Sequence, residues 1–490
     1  MLFLCSLIPL FTVGVAAQDA STAATAATAA RAACLATRQD LGPTKVKFSG
    51  TQYDDTTEAY WSFFNRGDEP TCIVYPSSAS DVQAAMRHIF HSQSDYAVRA
   101  GGHSPMIGWN GINNGVLISF EDMTDVSYDA SSDTITVQPG ATAGSAEAAV
   151  ESHGVSPVWG RADVIGTGLL LGGGISFQGP LYGWASDRIK ELDVVLVTGE
   201  LVTATATNEY SDLFRALRGG ANRFGIVTRY ELYAAHTGTR DDKLWYGGLI
   251  VYPGSSSTAL LKATAHYVRD LTDPNAAAIM ILNAYDTTST TAHACYFFYK
   301  GTSLPASVFG EFLSIPSTSQ NFSSYSFYDI TFLIQGDNGP NGQQYGASAF
   351  IGDEATFING YAKAVNFTQH FKEQLIRSEY TISPIPLSVW AASLSGPNSI
   401  GNPGVNYATV DFNLVFPDNE ATRPPVLNAA FKLLLAQNPP SPGLPLYINE
   451  CHQSQEVFAS YRNYPALKAA YAKYDPTGFN VAHTRGPKGL

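Results

Sequence analysis

From residue 71 onward, short apolar runs alternate with polar clusters that break them, and the spacing of the breaks predicts a succession of small elements. Residues 72–75 form an apolar strand closed by Pro76 and Ser77, and residues 79–91 then repeat apolar positions at helical spacing. Further strands are predicted at 96–100, 116–120 and 134–137, the last two separated by the turn-forming stretch 129–133. A helix follows at 143–153. Strands at 192–197 and 201–204 flank Thr198-Gly199-Glu200 and predict a hairpin, and 212–218 reads as a helical turn. Beyond Thr228 the character changes. Runs at 245–252, 278–282, 294–299 and 405–416 read as strands with helix-like segments between them, the pattern of a sheet with helices on one face. The polar run 236–242 marks a boundary between the two regions, and no internal repeat is found.

Composition narrows the possibilities. The 490 residues allow about two to four domains, and the 43 glycines, 26 tyrosines and 26 phenylalanines with 14% charged residues describe a turn-rich α/β or α+β protein. Lysine and arginine number 29 against 42 acidic residues, a net charge of −13 with no basic cluster, which argues against a nucleic-acid partner. Residues 2–15 are almost wholly apolar and end in Val15-Ala16-Ala17-Gln18, which reads as a secretory signal cut near Ala17, although no Lys or Arg precedes the run. The run is short for a membrane span and no other window reaches its length, so the mature protein is expected to be secreted and free of the membrane. Residues 19–33, mostly Ala, Thr and Ser, read as a linker or short helix.

Without Cys5, four cysteines remain: Cys34, Cys72, Cys295 and Cys451. An even number in an exported chain suggests disulfides, with three pairings possible. The preferred pair is Cys34 with Cys72, which would clip the N-terminal segment to the first strand, and Cys451 is expected to be bridged rather than reactive. Sequons at Asn321 and Asn366 support export weakly. His88 and His91 are three apart on the predicted helix, but no third ligand is evident, so a solvated face and no metal site are expected.

The densest chemistry lies in Arg99-Ala100-Gly101-Gly102-His103-Ser104, where an imidazole follows two glycines at the end of a strand. Glycines let backbone N–H groups approach a phosphorylated cofactor, Arg99 would add charge, and a neutral His nitrogen is a competent nucleophile. Three more glycine-bearing segments follow: Gly166-Thr167-Gly168, Gly172-Gly173-Gly174, and Gly219 to Val227. A long, bent, phosphate-bearing ligand would account for all four together. The triple glycine is not the nicotinamide-dinucleotide fingerprint.

The order of these motifs resembles the vanillyl-alcohol oxidase and berberine-bridge-enzyme-like superfamily of FAD-linked oxidoreductases. The resemblance rests on 99–104, 169–177, Gly183-Trp184-Ala185-Ser186-Asp187, 218–228 and the tail 471–479, and it covers roughly 71–232 and the chain from Tyr447 on. It implies an α+β protein: a two-part FAD-binding domain of the p-cresol methylhydroxylase type and a substrate domain whose antiparallel sheet is covered by helices. The implied organisation is a signal peptide at 1–17, a lead-in at 18–66, the FAD-binding domain at 67–238, the substrate domain at 239–445 and a returning segment at 446–490. Residues 383–401 look like the version found in fungal members.

By the same resemblance, His103 bonds the 8α carbon of the flavin while Arg99, Ala100, Gly101 and Gly102 cradle the pyrophosphate, and Ser104 is a further cofactor contact. Gly166, Gly168, Gly172, Gly173, Gly174, Gly225, Ile226 and Val227 would run along the cofactor through their backbone. Many relatives attach the flavin again through a cysteine in the loop before the triple glycine. Residues 160–168 contain none, so a single bond through His103 is expected. Tyr447-Ile448-Asn449 resembles the family's Tyr-x-Asn segment, which implies Tyr447 as general base and Asn449 against the isoalloxazine. A phenol has an ordinary pKa of about 10 and must be lowered or coupled to a carboxylate to serve as a base. The expected reaction moves hydride from a small organic substrate, a secondary metabolite, to FAD, with O2 as acceptor, in a monomer. The alternatives are a carbohydrate oxidase of the same family and a secreted glycoprotein that keeps the fold without the chemistry.

Overall fold

The computed structural model describes residues 11–287, 291–334, 341–418 and 423–490, with side chains from residue 25 onward. Its first sheet has four strands, β1 (Val46–Lys47), β2 (Cys72–Val74), β3 (Tyr96–Arg99) and β4 (Val116–Ser119), in the order β1-β2-β4-β3. Strands β2, β4 and β3 are parallel, so β2 and β3 need a crossover, and the helix Ala79–Ser92 supplies it. Ser78 starts that helix by accepting the N–H of Asp81 on its side chain. Residues 19–33 are not a short helix. They lie within one helix, Phe11–Leu41, whose alanine-rich composition suits a long run and whose Ala30, Ala33, Cys34 and Thr37 are buried. The expected disulfide is present: Cys34 is bonded to Cys72 at the start of β2. Cys451 departs from its expected bridging, since both it and Cys295 are free and buried.

A second sheet orders β5 (Val126–Asp129), β6 (Thr134–Val137), β10 (Ile226–Tyr233), β8 (Ile189–Val195) and β9 (Leu201–Thr205) as β5-β6-β10-β8-β9, while β7 (Val155–Ser156) pairs with β11 (Ala235–His236). The β8–β9 hairpin forms as the pattern predicts. Strand β8 starts three residues early because Lys190, Glu191 and Asp193 interrupt its apolar pattern, and the partners of those charges stand across the sheet: Arg229 bonds Asp193 at 2.6 Å and also engages Glu191, and Lys190 bonds Glu231 at 2.7 Å.

The third sheet is antiparallel throughout. It contains β12 (Trp245–Pro253), β13 (Ala276–Asp286), β14 (Ala292–Lys300), β15 (Ser319–Tyr325), β16 (Gly342–Gln344), β17 (Ala347–Phe350), β18 (Arg377–Ile385) and β19 (Tyr407–Phe416), in the order β15-β12-β14-β13-β18-β19-β16, with β17 also on β19. Alternation along each strand gives the sheet two unlike faces. Met280, Leu282, Phe297, Tyr380, Ile382, Val410 and Phe412 pack into one core with Leu260, Phe309, Phe357 and Phe431 from the helices Ser257–Asp270, Ala306–Ser314, Glu354–Phe371 and Pro425–Ala436. Their neighbours Ile279, Ile281, Glu379 and Asn413 face a cavity on the other side. The C-terminal segment runs back over the first two sheets, placing Phe458, Tyr461 and Leu467 in a core with Phe214 and Phe224, and Phe479 beside Tyr96 of β3.

Candidate active site

The loop after β3 and the loop 160–168 cross so closely that only glycine fits at the contact. A Cβ on Gly101 would lie 2.7 Å from the Gly166 Cα, and one on Gly166 would lie 2.3 Å from the Gly101 nitrogen. Gly102 has φ +73° and Gly225 φ +131°, left-handed values that side chains resist, and a Cβ on Gly225 would press on the Val195 carbonyl at 2.7 Å. These tight crossings leave a cavity of about 1200 Å³ lined at one end by Ala100, Gly101, Gly102, His103, Ser104, Gly166, Gly168, Gly225, Ile226 and Val227. Of the expected cofactor contacts, these ten and Asn449 share one space. The His103 ring stacks on Trp61, centroids 4.0 Å apart at 29°, and burial pulls its pKa down to about 4, which keeps the imidazole neutral at pH 7.

Arg99 turns away. Its guanidinium lies over the Tyr60 ring at 3.7 Å and donates to the Thr56 carbonyl at 2.6 Å, so its charge anchors the lead-in segment and does not line the cavity. Gly172, Gly173 and Gly174 do not line it either. They answer to packing: a Cβ at 172 would meet the Asn449 Oδ1 at 2.1 Å, at 173 the Ile400 side chain at 3.0 Å, and at 174 the Ala185 Cβ at 2.6 Å. The triple glycine lets the chain pass under Asn449 and Trp184.

Tyr447 and Asn449 lie together on the cavity wall. The Tyr447 hydroxyl oxygen accepts two N–H donors, Ile175 N at 3.1 Å and Asn449 Nδ2 at 3.0 Å, while Asn449 Nδ2 also reaches the Leu169 carbonyl at 3.1 Å. Burial, followed by the charge of Glu450, pushes the Tyr447 pKa far up. A phenol so held is a hydrogen-bond donor toward the cavity and not a base at neutral pH.

Sequence reasoning missed the charged and amide groups that line the rest of the cavity. Arg161 pairs with Glu450 at 3.4 Å and donates to Ser383 Oγ at 2.7 Å, and Arg377 pairs with Glu379 at 2.8 Å. Asn413 Nδ2 donates to Glu379 Oε2 at 2.7 Å. Asp411 is buried behind this row, and its pKa is raised strongly by burial and by the nearby Glu450 and Glu379 charges. The Glu450 carboxyl is likewise raised by burial, with Arg161 pulling it back. The available signal was polar residues at alternate positions of otherwise apolar strands, Asn283 in β13, Arg377 and Glu379 in β18, Asp411 and Asn413 in β19. Trp61, in the lead-in, carried no such signal. His88 is bonded to Asp40 at 2.7 Å, and among the described residues no group of His, Cys, Asp or Glu is placed to hold a metal ion.

The segment 70–205, which carries the crossing loops, matches the FAD-binding domain family. Over its length the chain is 27% identical to an uncharacterized FAD-linked oxidoreductase of Arthroderma benhamiae, covering 88% of this chain and 89% of that protein. The chain carries an FAD-binding domain and is similar along most of its length to FAD-linked oxidoreductases. It is also 28% identical to an FAD-dependent monooxygenase of Arthrobotrys oligospora, over 91% of this chain and 86% of the other. In fold, this oxidoreductase superposes on the wild-type BBE-like 1 protein of Physcomitrella patens with a TM-score of 0.74 at 18% identity, covering 91% and 96% of the two chains. The cavity suits FAD: its walls at one end are backbone of glycine loops, which a side chain at 101, 166 or 225 would disturb, and a neutral imidazole stands among them. Among the described residues, no helix is long and apolar enough to cross a membrane.

Proposed function

We propose that this oxidoreductase oxidises a small organic molecule, a secondary metabolite, with FAD tethered through His103 alone. The observation that carries the reading is the continuity of one cavity from the loops at Gly101, His103 and Gly166 to the polar row on β18 and β19, with Tyr447 and Glu450 on its wall. FAD, when bound, supplies the two-electron acceptor, and its re-oxidation by O2 would release hydrogen peroxide. The protein's own part is proton handling and orientation. Glu450, whose carboxyl burial raises and the Arg161 charge pulls back down, takes the proton from a substrate O–H or N–H. Tyr447 keeps its proton and directs a hydrogen bond at the substrate heteroatom, its oxygen being fixed by Ile175 and Asn449. The chain is read as an exported monomer, in keeping with the apolar N-terminus, the sequons and the Cys34–Cys72 disulfide.

Acid precipitation of the purified protein tests the tether. Yellow colour is expected to remain with the pellet, and in His103→Ala to pass into the supernatant. Colour released from the unaltered protein, or retained by the variant, would assign the bond elsewhere or abolish it, and a preparation that never carries flavin would end the redox reading. For the base, Glu450→Gln is expected to lower kcat by about a hundredfold or more while the flavin spectrum stays unchanged. A loss below fivefold would remove Glu450 from the chemistry.

A further inference from the structure

Three polar side chains stand in one row across the cavity face of the third sheet. Asn283 of β13 is directly across from Glu379 of β18, and Glu379 is directly across from Asn413 of β19. All three line the cavity. The two amides have a fixed sense: Asn283 Nδ2 donates to the Ala292 carbonyl and Asn413 Nδ2 to Glu379 Oε2, each at 2.7 Å. A carbonyl or carboxylate accepts only from an N–H, so each Oδ1 is left as the acceptor end. Both Oδ1 atoms are buried and have no hydrogen-bond partner among the described residues, and Asn413 as a whole is 7% exposed. Buried acceptors of this kind are costly unless something donates to them.

The charges nearby bear on what that donor is. Among the described residues, the two guanidiniums that line the cavity are committed to carboxylates, Arg161 to Glu450 and Arg377 to Glu379, while Asp163 and Asp286 add further negative charge to the lining. Among the described residues, an anionic substrate would meet no cation that is not already paired with a carboxylate. Beside the row the same face is apolar, with Ile279, Ile281, Ala294 and Tyr296.

We infer that Asn283, Glu379 and Asn413 determine specificity by reading the edge of an uncharged substrate that presents two hydrogen-bond donors. This rests on the proposed oxidation of a small organic molecule in the same cavity, and it names the class of that molecule. Strand β18 lies between the two acceptors, so Asn283 and Asn413 stand two strand spacings, ~10 Å, apart; two meta-related hydroxyls on a six-membered ring, each reaching outward through a hydrogen bond of ~2.8 Å, span about that separation, so the row matches such a pair while the ring lies on the isoleucines.

The test titrates resorcinol, resorcinol dimethyl ether, dihydroxybenzoate and methyl glucoside into the purified protein. Binding is read twice, by perturbation of the visible flavin band and by the ligand-induced rise in melting temperature. Resorcinol is expected to bind at least about tenfold more tightly than its ether or the carboxylate, the scale of one lost hydrogen bond to a buried acceptor. Asn413→Leu and Asn283→Leu should each remove about that factor for resorcinol and leave the ether unchanged. Should either variant fail to fold, the comparison of resorcinol with its ether on the unaltered protein decides. Equal binding of the ether or of dihydroxybenzoate, or tighter binding of the glucoside, overturns the inference. The thermal readout needs no flavin, so a colourless protein with the expected selectivity would sink the redox proposal and uphold this one. A coloured, reducible protein without that selectivity would sink this one alone.

Discussion

Glu147 is a carboxyl group sealed under the second sheet in the helix Ala143–Val150, and burial raises its pKa to about 8 from an ordinary 4.5. Below pH 4.5 the folded and unfolded chains both hold the proton, so the group has no effect on stability. Between 4.5 and 8 the unfolded chain releases the proton and the folded chain keeps it, so stability falls as pH rises across that window, by up to about 1.4 kcal/mol per pH unit. Glu147→Gln should therefore leave the unfolding midpoint unchanged near pH 4 and raise it progressively up to pH 8, a gain of a few kcal/mol. Urea unfolding at several pH values checks this, and a gain that does not grow with pH would contradict it. The same rule separates what single residues disclosed in the sequence from what they concealed. His103 was legible because two glycines beside a nucleophile is an unusual arrangement. Arg99 misled because its neighbours in sequence face the cavity while its own side chain crosses the strand to Tyr60. Gly172, Gly173 and Gly174 misled because a close approach to protein and a close approach to a ligand demand the same residue.

At the level of elements, strands buried on one face and covered by helices were readable, since β12, β13, β14 and β19 carry apolar residues at least at every second position. Strands whose outer face carries charges or small polar groups were not. Val126–Asp129 is half exposed, Ser319–Tyr325 is an exposed edge, and Ile226–Tyr233 was taken up by the glycine segment before it. Strand β18 has both problems, with Arg377 and Glu379 at one end and Pro384 near the other, yet it supplies the central member of the polar row. Half the candidate site was therefore legible, the glycine-loop half. It is built from consecutive residues, whereas the substrate half is assembled by register between residues 34 to 130 apart in sequence, which no local pattern encodes.

The molecule's two regions are locked by an ion pair withdrawn from water. Arg218 and Asp187 both lie in the first region, side chains 2% and 1% exposed and 3.4 Å apart. The Arg218 guanidinium also donates to the carbonyls of Gly396 at 3.1 Å and Pro397 at 2.7 Å, and Asn398 Nδ2 donates to Asp187 Oδ1 at 3.0 Å, so the pair is what the connection between β18 and β19 is fastened to. Burial raises Asp187 to about 6 and lowers Arg218 to about 10, which shows how much the enclosure disfavours either charge. At pH 7 Asp187→Asn would leave the guanidinium charged and enclosed, and a loss of about 3–5 kcal/mol is expected. Arg218→Met strands the carboxylate instead. That group can take up a proton, so its penalty should be smaller at pH 5 than at pH 7: the raised Asp187 pKa already means stability lost as pH climbs from 3.8 to about 6, and removing the Arg218 charge carries that window higher. Asp187→Asn combined with Arg218→Met buries no charge and should recover much of the loss, a coupling that a double-mutant cycle on unfolding midpoints would register. Protease cleavage near residues 395–399 should rise in each single variant and fall again in the double. A double variant no more stable than the worse single would mean that the carbonyl contacts, and not the charge pair, hold the two regions together.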